Sequence, residues 1–304
     1  MSQPVAILDG DFVAQEAALL PVWDNGFVLG TTLVEQLRSF GGQIGHLEQH
    51  LTRLYRSLEL VGIQPPLAGE ELADLARELV SRNWSLVDPA DDLGLSIFIT
   101  PGDSPSMTDG DVGRPRFCLH TFPLAFCLWA DKYETGQKLV VTQTQHIPNE
   151  CWPAEIKCRS RMNYFLADRE ARGRVPGARA LLLDPDGFVT EASTANVVLY
   201  REGEGLVVPP TGHVLPGVSV RTLFEIADEL GIATHEQALR PADLLTVDEM
   251  LLSSTPFGIV PVSEVDGQAI GATCPGPMFR RLLERFSQRV GLDIAAQARA
   301  FSRR

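Results

Sequence analysis

The chain has 304 residues, 44% of them hydrophobic and 21% charged, the composition of a folded globular protein long enough for two domains. Thirty-nine acidic against 26 basic residues leave a formal charge of −13, which argues against nucleic acid and anionic membrane as partners and favours a small molecule. No apolar run approaches the roughly 20 residues of a membrane span, the stretch from Met1 to Leu8 lacks the basic-then-apolar order of a leader, and the expected compartment is the cytoplasm.

Val5 to Val13 reads as strand, turn, strand, because Asp9-Gly10 between apolar runs favours a hairpin. Residues 35–40 and 43–46 flank Gly41-Gly42 in the same way and lead into a helix over 47–60, with Leu47, Leu51, Leu54 and Leu58 at helical spacing. A second amphipathic helix over 70–84 and strands over 94–100 and 116–122 complete an α+β first domain, residues 1–122. Residues 123–136 are expected to form an interdomain loop, and 137–304 a second domain. Its expected strands cover 137–145, 179–183, 187–191, 196–200, 205–208 and 249–253, interrupted by helices over 161–173, 219–230 and 277–290. The stretch 298–304 is expected to be a frayed helix end.

Cys118, Cys127, Cys151, Cys158 and Cys274 are odd in number and scattered, with no Cys-x-x-Cys pair, so neither a disulfide framework nor a metal site is expected. Cys158 reads as a small residue filling a strand end.

Lys157 stands in Glu155-Ile156-Lys157-Cys158-Arg159-Ser160-Arg161. A lysine with its ordinary pKa of about 10.4 is a poor nucleophile until neighbouring cations or burial activate it, and Arg159 and Arg161 offer that setting. Alone, the residue reads as a solvated lysine in a charged loop, and it is its company that points elsewhere. Glu191 follows the turn Asp184-Pro185-Asp186-Gly187 in a small, neutral neighbourhood, where a carboxylate can hold a pyridine nitrogen protonated; alone, it is equally a strand-end acid. Asn196 is a turn former or a ligand contact. Leu215-Pro216-Gly217-Val218-Ser219 precedes a helical run, so the amides of Val218 and Ser219 lie where an anion is favoured, unless Ser219 is a simple N-cap. Ser254 and Thr255 add hydroxyls, and Arg53 a guanidinium able to grip phosphate oxygens, or merely a helix-face charge. An amine, an acid for a ring nitrogen and a phosphate nest are the three requirements of pyridoxal phosphate.

Several segments in fixed order resemble the class IV aminotransferases, the fold-type IV pyridoxal phosphate enzymes that include branched-chain aminotransferases, D-amino acid aminotransferases and aminodeoxychorismate lyases. They are Asp24-Asn25-Gly26-Phe27-Val28-Leu29-Gly30 with Glu35 and Arg38, His46-Leu47-x-x-His50-x-x-Arg53-Leu54, Ile156-Lys157, Asp186-Gly187-x-x-Thr190-Glu191-Ala192-Ser193 with Asn196, Leu215-Pro216-Gly217-Val218-Ser219, and Ser254-Thr255-Pro256. The resemblance implies that Lys157 is the Schiff-base lysine and proton carrier and that Glu191 pairs with the ring nitrogen. It likewise implies that Arg53, Asn196, Val218, Ser219, Ser254 and Thr255 hold the cofactor. The implied fold is a smaller α/β domain joined to a larger domain with a β-barrel-like core, closed as a homodimer.

The chain also departs from the family. Val220, with Arg221 one step later, stands where an arginine is common; Ser160 stands for an asparagine; and Pro101-Gly102 follows the strand where relatives present an arginine to the substrate carboxylate. Arg159, Arg161 and Arg38 are the candidates to replace it. Branched-chain enzymes place Phe-Glu-Gly where this chain has Val34-Glu35-Gln36, which makes Val34 and Gln36 pocket candidates and puts a polar amide where leucine wants an apolar wall.

The expected function is a transaminase that passes the amine of a branched-chain-like L-amino acid to a 2-oxo acid such as 2-oxoglutarate through two half reactions. The alternatives are an aminodeoxychorismate lyase, marked by independence of any 2-oxo acid, a D-amino acid transaminase, and, more remotely, a non-catalytic dimeric binding module.

Overall fold

The computed structural model describes residues 3–110 and 113–304. The chain forms two compact units: the first runs through Leu124 and takes in Ile156–Ser160, and the second comprises Ala125–Glu155 and Arg161–Arg304.

In the first unit β1 (Val5–Leu8) and β2 (Asp11–Ala14) fold back at Asp9-Gly10, both with positive φ (51° and 100°), the backbone that a two-residue hairpin of this hand requires. A single helical turn, α1 (Asn25–Val28), follows. The buried Asp24 carboxylate caps it, accepting from Gly26 N at 2.7 Å and from Thr100 Oγ1 at 2.7 Å. β3 (Leu33–Phe40), β4 (Gln43–Ile44), α2 (Leu47–Val61), α3 (Gly69–Trp84), β5 (Leu93–Thr100) and β6 (Arg116–Pro123) complete the unit. Among the described residues the sheet has the order β2-β1-β6-β5-β3-β4, all antiparallel. Because successive strand residues point to opposite faces, Leu33, Leu37, Leu95, Ile97, Ile99, Phe117 and Leu119 meet Leu47, Leu51, Leu54 and Leu58 of α2 and the apolar stripe of α3 on one face.

The second unit begins with residues expected as an interdomain loop. They form instead a 3-10 turn, Phe126–Leu128, and α4 (Lys132–Thr135), because Phe126, Trp129 and Tyr133 are buried in this unit and the Tyr133 hydroxyl donates to Phe257 O at 2.8 Å. Then come β7 (Gln137–Val141), α5 (Met162–Arg174), β8 (Arg179–Leu183), β9 (Val189–Ala192), β10 (Ala195–Arg201), β11 (Gly205–Val208), α6 (Val218–Glu229), β12 (Thr234–Glu236), β13 (Glu249–Ser254), β14 (Gly258–Val265), β15 (Gln268–Ala269), α7 (Pro277–Val290) and α8 (Ile294–Ala300). β9 pairs with both β8 and β10, which closes β7-β8-β9-β10-β13-β14 into a six-stranded barrel, with β7 parallel to both β8 and β14. Beyond α8, whose N-cap Asp293 accepts from Ala296 N, the tail is tied down by Cys127 N donating to Arg304 O at 2.7 Å.

Candidate functional site

Lys157 sits in a short segment laid along the free edge of the first half of β3. Val34 N donates to Lys157 O at 3.0 Å, Arg159 N donates to Thr32 O at 2.8 Å, and Leu33 and Cys158 form the bridge between them. Lys157 N in turn donates to Ser57 Oγ on α2 at 3.3 Å. Ile156 and Cys158 pack against the core under the helices, so strand alternation turns Lys157 and Arg159 to the opposite, open face of the sheet. Cys158 thus fills a strand edge, as expected. The segment is fixed by two strand hydrogen bonds to the edge of β3 and one to α2 rather than held as a solvated loop.

Below that segment lies a buried ionic cluster. Glu35, fully buried on β3, accepts from Arg53 Nε at 2.7 Å and Arg53 Nη2 at 2.7 Å, and its Oε2 lies 2.7 Å from His50 Nδ1. Burial alone would raise the Glu35 pKa, but the Arg53 charge, its paired hydrogen bonds and His50 more than offset it and hold the carboxyl down at about 2. His50 is pushed below its ordinary value, first by burial and also by the charges of Arg53 and Lys157, against the pull of Glu35. A neutral His50 therefore donates from Nδ1 to Glu35, and its buried Nε2 has no hydrogen-bond partner. Arg53 is thereby clamped in one orientation by side chains on two elements.

The remaining pocket candidates of this unit part company. Val34 is buried beside Lys157, and Gln36 lies on the open face. Arg38 belongs to the hairpin instead: it is buried, donates from Nε to Ser39 O at 3.1 Å, lies 3.9 Å from Asp92 and covers the Phe40 ring. Asp92 also accepts from Ser39 Oγ and from the amides of Gly41 and Gly42, so Arg38 neutralises the acid that braces this turn.

In the second unit Glu191 lies on β9 opposite Asn196 of β10, across a turn in which Thr194 takes a left-handed φ of 63°. Glu191 is buried to 4% exposure. It accepts from the Tyr164 hydroxyl on α5, lies 3.4 Å from His146 Nε2, and accepts from Leu215 N at 3.4 Å. Asn196 Nδ2 donates to Leu215 O at 2.8 Å, so acid and amide together hold the loop that enters α6. Gly217 is required there, because a Cβ would stand 2.1 Å from Asn196 Oδ1. It is also the N-cap of α6 and brings no capping side chain, so Ser219 is not the cap and the amides of Val218 and Ser219 open the helix, where an anion is favoured. Ser254 Oγ donates to Thr194 O at 3.0 Å and so braces the same turn, with Thr255 following it. Arg161 is the N-cap residue of α5 in this unit.

Sequence reasoning passed over Tyr164 and His146. Tyr164 follows Lys157 by seven positions on the expected helix 161–173, whose apolar residues are spread round it with Met162, Phe165 and Leu166 exposed, so no face of that helix singles out its hydroxyl, and nothing local marks His146. Among the described residues no group of three or more His, Cys, Asp or Glu is placed to hold a metal ion, and no helix is long and apolar enough to cross a membrane.

Comparison with known proteins bears on these features. The family model described as amino-transferase class IV matches residues 32–265. A Methanocaldococcus jannaschii protein described as a "putative branched-chain-amino-acid aminotransferase" is 30% identical over 285 residues, covering 92% of this chain and 94% of that protein. The D-alanine aminotransferase of Bacillus licheniformis is 26% identical, covering 91% of this chain and 93% of its own. The crystal structure of the Escherichia coli branched-chain amino acid aminotransferase superposes with a TM-score of 0.86 at 23% identity, covering 94% of each chain, a likeness of fold.

Proposed function

We propose, from the premise that this chain belongs to the amino-transferase class IV family and is a pyridoxal-phosphate-dependent transaminase, that its amino donor is a branched-chain-like L-amino acid and its acceptor a 2-oxo acid such as 2-oxoglutarate. Glu191 carries the site assignment. A carboxylate buried in the wall of a barrel, fixed by a tyrosine hydroxyl and a backbone amide with His146 at 3.4 Å, is placed to receive a further positive partner, and a protonated ring nitrogen is one.

When bound, pyridoxal phosphate supplies an electron sink for the carbon that loses its proton. Lys157 would hold the cofactor's aldehyde carbon through Nζ and, once displaced by the donor amine, move a proton with the same atom. Glu191 would keep the ring nitrogen protonated, and Tyr164 orients that carboxylate. The amides of Val218 and Ser219 would meet the phosphate, with Thr255 as a hydroxyl donor and Arg53, clamped by Glu35, as the cation. Asn196 and Ser254 spend their side chains on the Leu215 and Thr194 carbonyls and so shape this nest.

The name borne by the 30% identical relative supports the branched-chain reading. A second reading, D-amino acid transamination, is favoured by the D-alanine aminotransferase relative. Homodimerisation is part of the proposal: Leu19, Val22, Phe27 and Leu29 are exposed apolar side chains close together in the sequence of the first unit, the kind of surface a second copy would cover. Cytoplasmic location is also part of it, and the five free thiols suit a reducing compartment. The test is a half reaction: bleaching of the bound cofactor's visible band by L-leucine, L-isoleucine or L-valine supports the first reading, bleaching by D-alanine alone supports the second, and bleaching by neither contradicts both.

A further inference from the structure

The open face of the first unit's sheet carries a row of polar groups that the proposed chemistry does not use. Register places Gln36 of β3 opposite Ser96 of β5, and Ser96 opposite His120 of β6, so the three lie in line across neighbouring strands about 4.8 Å apart. All three are on the face opposite α2 and α3, as the core positions Leu37, Leu95, Ile97 and Leu119 dictate. Arg159 reaches across β3 onto this row and donates from Nη2 to Ser96 Oγ at 3.2 Å. Ser96 is fully buried, so the hydroxyl is a fixed brace under an exposed guanidinium. His120 is held edge-on to Phe98, with ring centroids 6.3 Å apart, and tilted against Phe122 at 6.0 Å. Burial, and then the Arg159 charge, lower its pKa against a hydrogen bond to the Thr121 backbone that raises it, so the ring is fixed in place by its own strand. Lys157, two residues before Arg159, projects to the same face.

We propose that Arg159, braced by Ser96 and flanked by His120 and Gln36, is the subsite that holds a substrate carboxylate. A guanidinium edge matches a carboxylate in two parallel hydrogen bonds, the Gln36 amide N–H adds a single one, and the His120, Phe98 and Phe122 rings form walls of low polarity that strengthen them. The subsite rests on the reading of Lys157 as the reactive amine, since it is their shared face that makes it a substrate site.

The experiment has a catalytic and a binding arm. Arg159→Gln is expected to raise KM roughly 10- to 100-fold, the worth of a charge-assisted hydrogen bond, far more than kcat falls, with partial recovery in Arg159→Lys. A rise for every substrate assigns the subsite to the carboxylate beside the amine; a rise for 2-oxoglutarate and glutamate but not for leucine assigns it to a side-chain carboxylate. Calorimetry with glutarate and with butyrate reads binding without turnover: wild-type protein binds at least one, and Arg159→Gln and Ser96→Ala each weaken it. Unchanged KM in Arg159→Gln, or carboxylate binding indifferent to both substitutions, would overturn the proposal. Loss of transamination in the wild type with carboxylate binding intact would count against the function of Lys157 and leave the subsite standing.

Discussion

Replacing Glu35 by glutamine removes one charge from a carboxylate that is fully buried and accepts three hydrogen bonds of 2.7 Å, two from Arg53 and one from His50. The amide keeps one acceptor oxygen and turns an NH2 group toward donors, leaving the Arg53 guanidinium buried against another donor. The carboxyl is held at about 2 against an ordinary 4.5, a gap worth about 3 kcal/mol in favour of the folded state at neutral pH. Breaking a buried ion pair by removing one partner costs about 3–5 kcal/mol, so the two routes agree. The sign with pH follows from proton counting. Between about pH 4.5 and 2 the unfolded chain binds the proton that folded Glu35 refuses, so wild-type stability falls as pH drops through that window. His50, also depressed, adds an earlier decline that starts below its ordinary value of 6.5. Urea unfolding at a series of pH values measures both. The Glu35→Gln variant loses about 3 kcal/mol or more at pH 7 and loses the lower window, and the double variant Glu35→Gln/Arg53→Met costs less than the two single substitutions summed. A loss under about 1 kcal/mol, or an unchanged acid profile, would refute the reasoning.

Other outcomes follow from the second unit. Gly217→Ala would drive a Cβ to 2.1 Å from Asn196 Oδ1, displacing the loop that opens α6, and should weaken pyridoxal phosphate binding about tenfold in a fluorescence titration; affinity equal to wild type would remove that loop from the phosphate nest. Tyr164→Phe deletes the hydroxyl donor to Glu191, a bond to a charged group worth about 1.5–3 kcal/mol, and should lower kcat/KM by about tenfold or more and lower the thermal unfolding temperature of the protein as well. Leu58→Ala, at a fully buried position under the first sheet, should cost about 2–5 kcal/mol while leaving cofactor affinity near the wild-type value.

The elements that local chemistry dictates were legible in the sequence. Asp9-Gly10 and Gly41-Gly42 specify their turns through residues that tolerate positive φ, and the leucines of α2 mark its buried face by spacing alone. β14 escaped notice because Pro261 interrupts it; the structure accommodates the proline because pairing with β7 begins only at Val262. α8 has seven residues, and β12 has three exposed ones, too short for any period to register. At the candidate site, Lys157 and Glu191 announce themselves by their motifs. The partner of Arg53 does not: Glu35 lies 18 positions away on a different element, so only the packing of α2 on β3 brings them together. The same long-range geometry reassigns Arg38 to the hairpin brace, since charge in a sequence does not say whether an acid such as Asp92 waits beneath it.

Labelling the cofactor-bearing lysine tests the central claim most directly. The chain has three lysines, Lys132, Lys138 and Lys157. Lys132 is paired with Asp131 at 2.9 Å, and Lys138 with Glu264 at 3.1 Å. Borohydride reduction of the protein loaded with pyridoxal phosphate, followed by peptide mass spectrometry, should place one phosphopyridoxyl group on the peptide containing Lys157 and none on the other two. A label on Lys132 or Lys138 with Lys157 unmodified, or no label on a protein that turns over its substrates, would contradict the account.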